Sequence, residues 1–313
     1  MELDEITAQD YEKEVCNRGP IFCQKKFLDL NAPKVDRVHY YILRDEKKRL
    51  AFAIGEKNGE WKAPFSAPFA IPIELRGNSD LKYYWELFNL LKKKVKSEGG
   101  KSIDLYLPPD IYNYSQISKI YNSLLGNGFN ITYQEVNYSF DVDYIKRKGY
   151  EKCIHYNAKK NLKIAERCGL KFIQCTSLEE KKQAYDIIRV NRDSKGYYLA
   201  MSWEQVFDTI NVVEHDFFII KNGKNGIAAA MVFKVTPEIA QVVYWGDIPN
   251  VSKYKSINYM ASELIKYYKN RDVKIIDIGP SAPNGIPNFG LCNFKEGIGC
   301  NISNKFRFLY QIK

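Results

Sequence analysis

The sequence predicts an α+β protein built from two tandem copies of one unit, each a mixed, mostly antiparallel sheet flanked by helices. Three observations carry this. Asp216 to Met231 (DFFIIKNGKNGIAAAM) aligns without a gap on His39 to Ile54 (HYYILRDEKKRLAFAI), at a constant offset of 177 positions. The same order of elements follows each stretch: a third strand, an amphipathic helix, a short strand and a final strand. No G-x-G-x-x-G follows a first strand and no G-x-x-x-x-G-K-[ST] occurs, which argues against a doubly wound dinucleotide fold and against P-loop chemistry. The two copies are expected at residues 1–145 and 146–313.

The elements follow from period and punctuation. A helical hint at Tyr11 to Val15 precedes the first hairpin, Val38 to Ile54, whose apolar runs are split by the polar turn Arg44 to Arg49. Gly59 to Ile73 continues as an extended segment, and Pro64, Pro68 and Pro72 mark it as an edge or bulged strand. Tyr84, Leu87, Phe88, Leu91 and Val95 share one helical stripe within Leu81 to Lys96, which Gly99 and Gly100 stop. A short strand, Ser102 to Leu107, a helix around Ile117 to Leu125 and a long strand, Phe129 to Val142, complete the first half.

A linking helix is expected over Cys153 to Gly169, with Ala158, Leu162, Ala165 and Cys168 on one face. Its other residues include Lys159, Lys160, Lys163 and Arg167, either a solvated basic face or an anion-binding one. Leu170 to Gln174 reads as a strand, and Leu178 to Arg192 and Ser202 to Val212 read as helices. The second hairpin, Asp216 to Val235, leads to a strand, Ile239 to Asp247, a helix, Ser256 to Lys269, and a strand, Val273 to Ile278. A glycine-framed loop ending in Lys295 then precedes a last strand, Lys305 to Gln311.

Composition narrows the function classes. The chain has 313 residues, 45% hydrophobic and 27% charged, as in a globular protein without low-complexity tracts. The net charge of +10 suits a nucleic acid, an anionic cofactor or an anionic substrate, and it equally fits scattered background lysines. Seven cysteines without a C-x-x-C pair read as reduced thiols. Three histidines leave little material for a metal site or a Ser-His-Asp triad. The start, MELDEITAQDYEKEV, lacks the pattern of a signal peptide, and a cytoplasmic location is expected.

Three stretches carry a family resemblance: Asn161 to Gly169 (NLKIAERCG), Asn191 to Trp203 (NRDSKGYYLAMSW), and the set Trp245-Gly246-Asp247, Asp277-Ile278-Gly279 and Gly290 to Gly299 (GLCNFKEGIG). Together with the element order they resemble the acyl-CoA N-acyltransferase (GNAT) superfamily in its tandem, Fem-like form, the peptidoglycan-bridge aminoacyltransferases and related surface-polysaccharide acyltransferases. The last set is similar to a D-x-G followed by G-L-x-x-F-K-x-x-x-G. Asn157 or Asn161 stands where the family's linking helix usually has an arginine.

The resemblance implies a catalytic second half and a degenerate first half. It implies transfer of an acyl or aminoacyl group, from acyl-CoA or aminoacyl-tRNA, to an amine of a cell-envelope precursor such as a nucleotide-linked amino sugar or a lipid-linked saccharide. Lys295 would lie by the reaction centre, stabilising an oxyanion or holding an anionic donor group. By the match Arg192 would grip an acceptor phosphate or carboxylate; independently of it, Asp247 and Asp277 end neighbouring strands, so either could orient or deprotonate the acceptor amine, with Asp247 the catalytic candidate. Trp245, Phe294 and Asp277 would complete the substrate site, with Asp277 also readable as a strand-terminal residue satisfying loop N–H groups.

The donor is the point of departure. Simple acetyltransferases of this fold hold the coenzyme A pyrophosphate on a glycine-rich turn, whereas here the run Ile248 to Ser256 (IPNVSKYKS) has no glycine. Ser252, Tyr254 and Ser256 are the candidate donor-binding residues within it. The chain also lacks the long coiled-coil insertion that many Fem-type enzymes carry for tRNA. A non-catalytic nucleotide- or RNA-binding module on the same duplicated fold remains the competing class.

Overall fold

A computed structural model describes residues 1–313. The chain divides into two compact units: Met1–Val136 with Asn284–Ile286 and Ser303–Lys313, and Asn137–Pro283 with Pro287–Ile302.

The first unit opens with β1 (Glu2–Glu5), α1 (Ala8–Val15) and α2 (Lys25–Asn31), followed by the hairpin β2 (Arg37–Arg44) and β3 (Lys48–Lys57). Next come β4 (Glu60–Ala63), β5 (Ile73–Glu74), α3 (Leu81–Ser97), β6 (Ser102–Tyr106) and α4 (Tyr114–Gly126). β4 stops where Pro64 begins the proline-spaced segment, since proline has no N–H for a ladder. β1 was not expected from sequence, because four residues with one apolar side chain, Leu3, show no period. It pairs antiparallel with β2 and places Glu5 opposite Tyr41. The core buries Tyr41, Phe52, Trp61, Leu87, Phe88 and Ile103.

β7 (Asn130–Asp141) contributes its last five residues to the second unit, which continues with α5 (Val142–Lys148), α6 (Tyr156–Arg167), β8 (Lys171–Gln174), α7 (Leu178–Lys195) and α8 (Trp203–Ile210). α6 lies within the expected linking helix, Cys153 to Gly169, and α5 is an additional short helix that the sequence reading did not anticipate. Gly149, at φ +85°, ends α5, and α6 starts only at Tyr156. The second hairpin is β9 (His215–Asn222) and β10 (Asn225–Thr236), followed by β11 (Ile239–Asp247), α9 (Ser256–Tyr268), β12 (Ile275–Pro280) and α10 (Phe289–Gly297). The strand order here is β7-β12-β11-β10-β9-β8, with β11 and β12 parallel and the other pairs antiparallel. Phe217 to Ile220 and Ile227 to Phe233 are buried without alternation, because α7 and α9 both pack on β10 and the strands are covered on both faces.

The two hairpins align in sequence but differ by one residue in register. His39 pairs with Ile54, whereas Asp216 pairs with Val232, one residue beyond Met231; the offset is already present at the turns, where Arg44 pairs with Lys48 and Lys221 with Gly226. The last strand, β13 (Asn301–Gln311), corrects the expected domain content. Its residues from Ser303 onward belong to the first unit, where they pair antiparallel with β6, and β7 fills the matching place beside β12. Each unit is therefore closed by a strand from the other half of the sequence.

Candidate active site

The site follows from where a ladder stops. β11 and β12 pair only from Ile239↔Ile275 to Gln241↔Asp277, yet β11 runs on to Asp247 and β12 to Pro280. The register of β10 against β11 also breaks between Met231/Val232, so Val243 has no partner and β11 is bulged just past the last paired residue. A bulge bends its strand, and the edge of Tyr244 to Asp247 that would face β12 has no strand beside it. The result is a wedge in the second unit with Gln241 and Asp277 at its apex.

Asp277 is fully buried, and three donors hold its carboxylate. Asn137 Nδ2 on β7 and Gln241 Nε2 on β11 each donate at 2.9 Å, and the Gly279 N–H donates at 2.9 Å. Its side chain therefore ties three strands together and satisfies the loop that follows. Gln241 Oε1 and Ser281 Oγ, also buried here, have no hydrogen-bond partner.

Lys295 lies on the wall formed by β12. The sequence placed it on a loop. The structure places it on α10, which Asn288 caps by accepting from the Leu291 N–H, so the two glycines of the GLCNFKEG segment sit within a helix. Lys295 is 2% exposed, and its Nζ donates to the carbonyls of Ile278 (3.0 Å), Gly279 (2.8 Å) and Pro280 (3.2 Å). Those carbonyls follow Asp277, the last residue of β12 that pairs with β11. Burial pulls its pKa down to about 8, opposed by Cys300, Asp277 and Cys292, while the Arg192 charge pushes it lower. Tyr138 lies under the ammonium, with its ring centroid 5.3 Å from Nζ, and donates its hydroxyl to Glu296 at 3.0 Å. All three ammonium protons have acceptors, so Lys295 clamps the strand end rather than presenting a free donor.

The other wall carries Tyr244, Trp245, Gly246 and Asp247. Trp245 and Phe294 meet with ring centroids 6.4 Å apart. Gly246 is required by packing: a Cβ there would lie 2.4 Å from Asn191 Cγ on α7. Asn191 uses that space to donate from Nδ2 to the Asp247 carbonyl at 2.6 Å, which pins α7 to the end of β11. The next residue on α7 is Arg192, whose guanidinium lies between the rings of Tyr244 (5.7 Å) and Tyr197 (5.9 Å). It has no carboxylate partner, and its Nε is buried without an acceptor. Burial lowers its pKa, and the two tyrosines oppose that.

Asp247 is half-buried and accepts from Ser256 Oγ at 2.9 Å. That bond corrects the donor assignment for Ser256, which is 1% exposed and turned inward, so its hydroxyl is taken. Ser252 and Tyr254 form a single 3-10 turn that ends at Lys255 in the left-handed region (φ +52°), with no side-chain cap on α9. The run thus brings no glycine cradle to the helix start. Lys295, Asp277, Trp245 and Phe294 gather around the wedge with Arg192 and Asp247 at its β11 wall, while Ser252 and Tyr254 stand apart from these contacts. Sequence reasoning missed Asn137, Tyr138, Gln241 and Glu296, which hold the named residues. Gln241, a lone polar residue in the apolar run of β11, was the visible signal.

No protein-family profile and no curated protein matches the sequence. Solved structures do match. FemX superposes with a TM-score of 0.71 at 13% identity, over 99% of this chain and 97% of that one. A C-terminal domain assigned to a lysylphosphatidylglycerol synthetase from Agrobacterium fabrum gives 0.63 at 10% identity, over 97% and 92%. A tandem GNAT protein from the clavulanic acid biosynthesis pathway gives 0.53 at 9% identity, over 100% and 98%. At such identities the likeness is one of fold, and by fold the chain is Fem-like, a tandem pair of GNAT-like units.

Proposed function

We propose that the second unit is an N-acyltransferase, moving an acyl or aminoacyl group from acyl-CoA or aminoacyl-tRNA to an amine of an anionic cell-envelope precursor. The observation that carries this is Arg192, a half-buried guanidinium without an anion, set beside a wedge between two diverging strands. A buried cation is costly unless paired, and a planar fork of donors is suited to a phosphate or carboxylate. In the first unit the arginine beside the parallel pair β4 and β6, Arg307 on β13, is already paired with Asp104, donating from Nε at 2.8 Å, and with Tyr133 at 3.0 Å. That contrast supports the second unit as the working copy.

In this reading the acceptor anion binds Arg192, and its amine approaches the carbonyl carbon of the donor in the wedge. The amine lone pair forms the new C–N bond. Charge collects on the carbonyl oxygen, facing the unpaired backbone edge of Tyr244 to Asp247. Asp247 takes a proton from the amine, and the thiolate or ribose oxygen leaves as the C–S or C–O bond breaks. Lys295 is a positioning residue that fixes Ile278 to Pro280 and contributes a positive field. Trp245 and Phe294 flank the reacting groups. Arg192→Met should raise the acceptor KM with little change in donor KM, and an unchanged acceptor KM would refute the role of Arg192.

The second reading is a nucleotide- or RNA-binding module without turnover. The glycine-free turn and the inward Ser256 favour it. Saturable binding of acyl-CoA or aminoacyl-tRNA with no product detected by mass spectrometry, across amine acceptors, would select it.

A further inference from the structure

Between Val142 and Arg167 the second unit carries α5, a turn and α6, and this segment has an unusual charge surface. On α6, Ala158, Leu162 and Ala165 are buried, and the helix packs on α9 and α10. That leaves Tyr156, Lys160, Lys163 and Arg167 exposed at helical spacing, a single stripe about 16 Å long at the α-helical rise. Lys146, Arg147 and Lys148 at the end of α5, and Lys152 in the turn, are exposed as well.

Of the eight cations from Lys146 to Arg167, Lys159 alone reaches a carboxylate, Glu151 at 4.0 Å. Elsewhere on the same unit Lys182, Lys234, Lys266 and Lys274 each sit in a salt bridge at 3.1 Å or less. The acids of the segment, Asp143, Glu151 and Glu166, leave it strongly positive. Two aromatic rings stand out on it: Tyr156 is 80% exposed and Tyr144 40% exposed, with Lys148 Nζ 5.6 Å from the Tyr144 ring.

We infer that the α5–α6 face is a docking surface for an anionic lipid bilayer. Lysine stems lie along apolar surface while their ammonium groups reach the phosphates, and tyrosine rests at the headgroup boundary with its ring in and its hydroxyl wet. A row of cations with exposed rings satisfies both requirements. A nucleic-acid duplex would use the charges and leave the rings in water, which favours the bilayer. No helix is long and apolar enough to cross a membrane. The His155 N–H donates to the Gly297 carbonyl of α10 at 2.9 Å, so the face is joined to the helix that carries Lys295. The inference does not depend on the transfer reaction.

The test is co-sedimentation of the full chain with large vesicles of phosphatidylcholine, with and without one third phosphatidylglycerol. Binding is expected only with phosphatidylglycerol, and it weakens as salt rises. Changing Lys160, Lys163 and Arg167 together to Ala should lower the partition coefficient about a hundredfold, at roughly the contribution of one interfacial cation each. Should that variant fail to melt as a folded protein, Lys160→Glu alone should lower partition at least tenfold. Tyr156→Ala should lower it several-fold at high salt. Failure to bind phosphatidylglycerol vesicles at low salt, unchanged partition in the charge variants, or salt-sensitive binding of bulk tRNA with vesicles ignored would each overturn the inference.

Discussion

Replacing Lys295 by methionine separates the two energies that meet at this residue. Methionine keeps the packed stem and removes the ammonium. Three carbonyls then lose their donor, at about 1 kcal/mol each, or about 3 kcal/mol in all. Against this, the buried ammonium itself is unfavourable. A pKa drawn from its ordinary 10.5 to about 8 corresponds to about 3 kcal/mol against the charged form. At neutral pH the two nearly cancel, and Lys295→Met should be close to wild type in stability.

The sign with pH is fixed by proton counts. Between pH 8 and 10.5 the unfolded chain holds the Lys295 proton and the folded chain has released it, so wild-type stability rises with pH from this group. The variant lacks the group and lacks the rise. Urea unfolding of both proteins at pH 7.5 and 9.5 should show the wild type gaining about 2 kcal/mol on the variant across that interval, with other titrations cancelling in the difference. A gap that stays constant or narrows as pH rises would refute the buried, depressed lysine.

Asp277→Ala leaves the donors of Asn137, Gln241 and Gly279 without their shared acceptor and Lys295 without a counter-charge, for an expected loss of about 3–5 kcal/mol in urea unfolding. Gly246→Ala forces Asn191 off the Asp247 carbonyl and should cost about 2–3 kcal/mol by the same measurement, while also weakening anion binding because Arg192 follows Asn191. Tyr138→Phe removes the hydroxyl that bonds Glu296 and meets Cys292 and should cost about 1 kcal/mol. Arg192→Met should do the reverse of a core mutation and leave stability equal to wild type or about 1 kcal/mol higher, since an unpaired guanidinium is removed.

Much of this was legible before any coordinates. Both hairpins, β11, α3 and α9 follow from apolar period and from turns such as Lys221 to Asn225, because each element is fixed by its own residues. The candidate residues Lys295, Asp277, Trp245, Phe294 and Arg192 were likewise named from sequence, and the structure groups them around one wedge. What stayed hidden depends on distant partners. β13 pairs β6 across some two hundred positions of sequence, and no local pattern says which sheet a final strand joins. The bulge at Val243 that opens the wedge is a property of pairing, invisible in an apolar run. Ser256 looked like a free hydroxyl at a helix start, and only the approach of Asp247 showed it to be engaged. α10 was obscured by Gly290 and Gly297, which weaken a helical pattern in sequence but fit at its two ends.

The central claim is that Arg192 waits for the anion of a substrate at the mouth of the wedge. Its most direct test is thermal melting of wild type and Arg192→Met with nucleotide-linked amino sugars, each with and without acetyl-CoA. A ligand at about a hundred times its Kd should add roughly 2.7 kcal/mol of stability. The account predicts a clear rise in melting temperature for the wild type with at least one such sugar, and its loss in Arg192→Met although that variant folds as well or better. Equal shifts in both proteins, or none in either with any of these sugars, would contradict it.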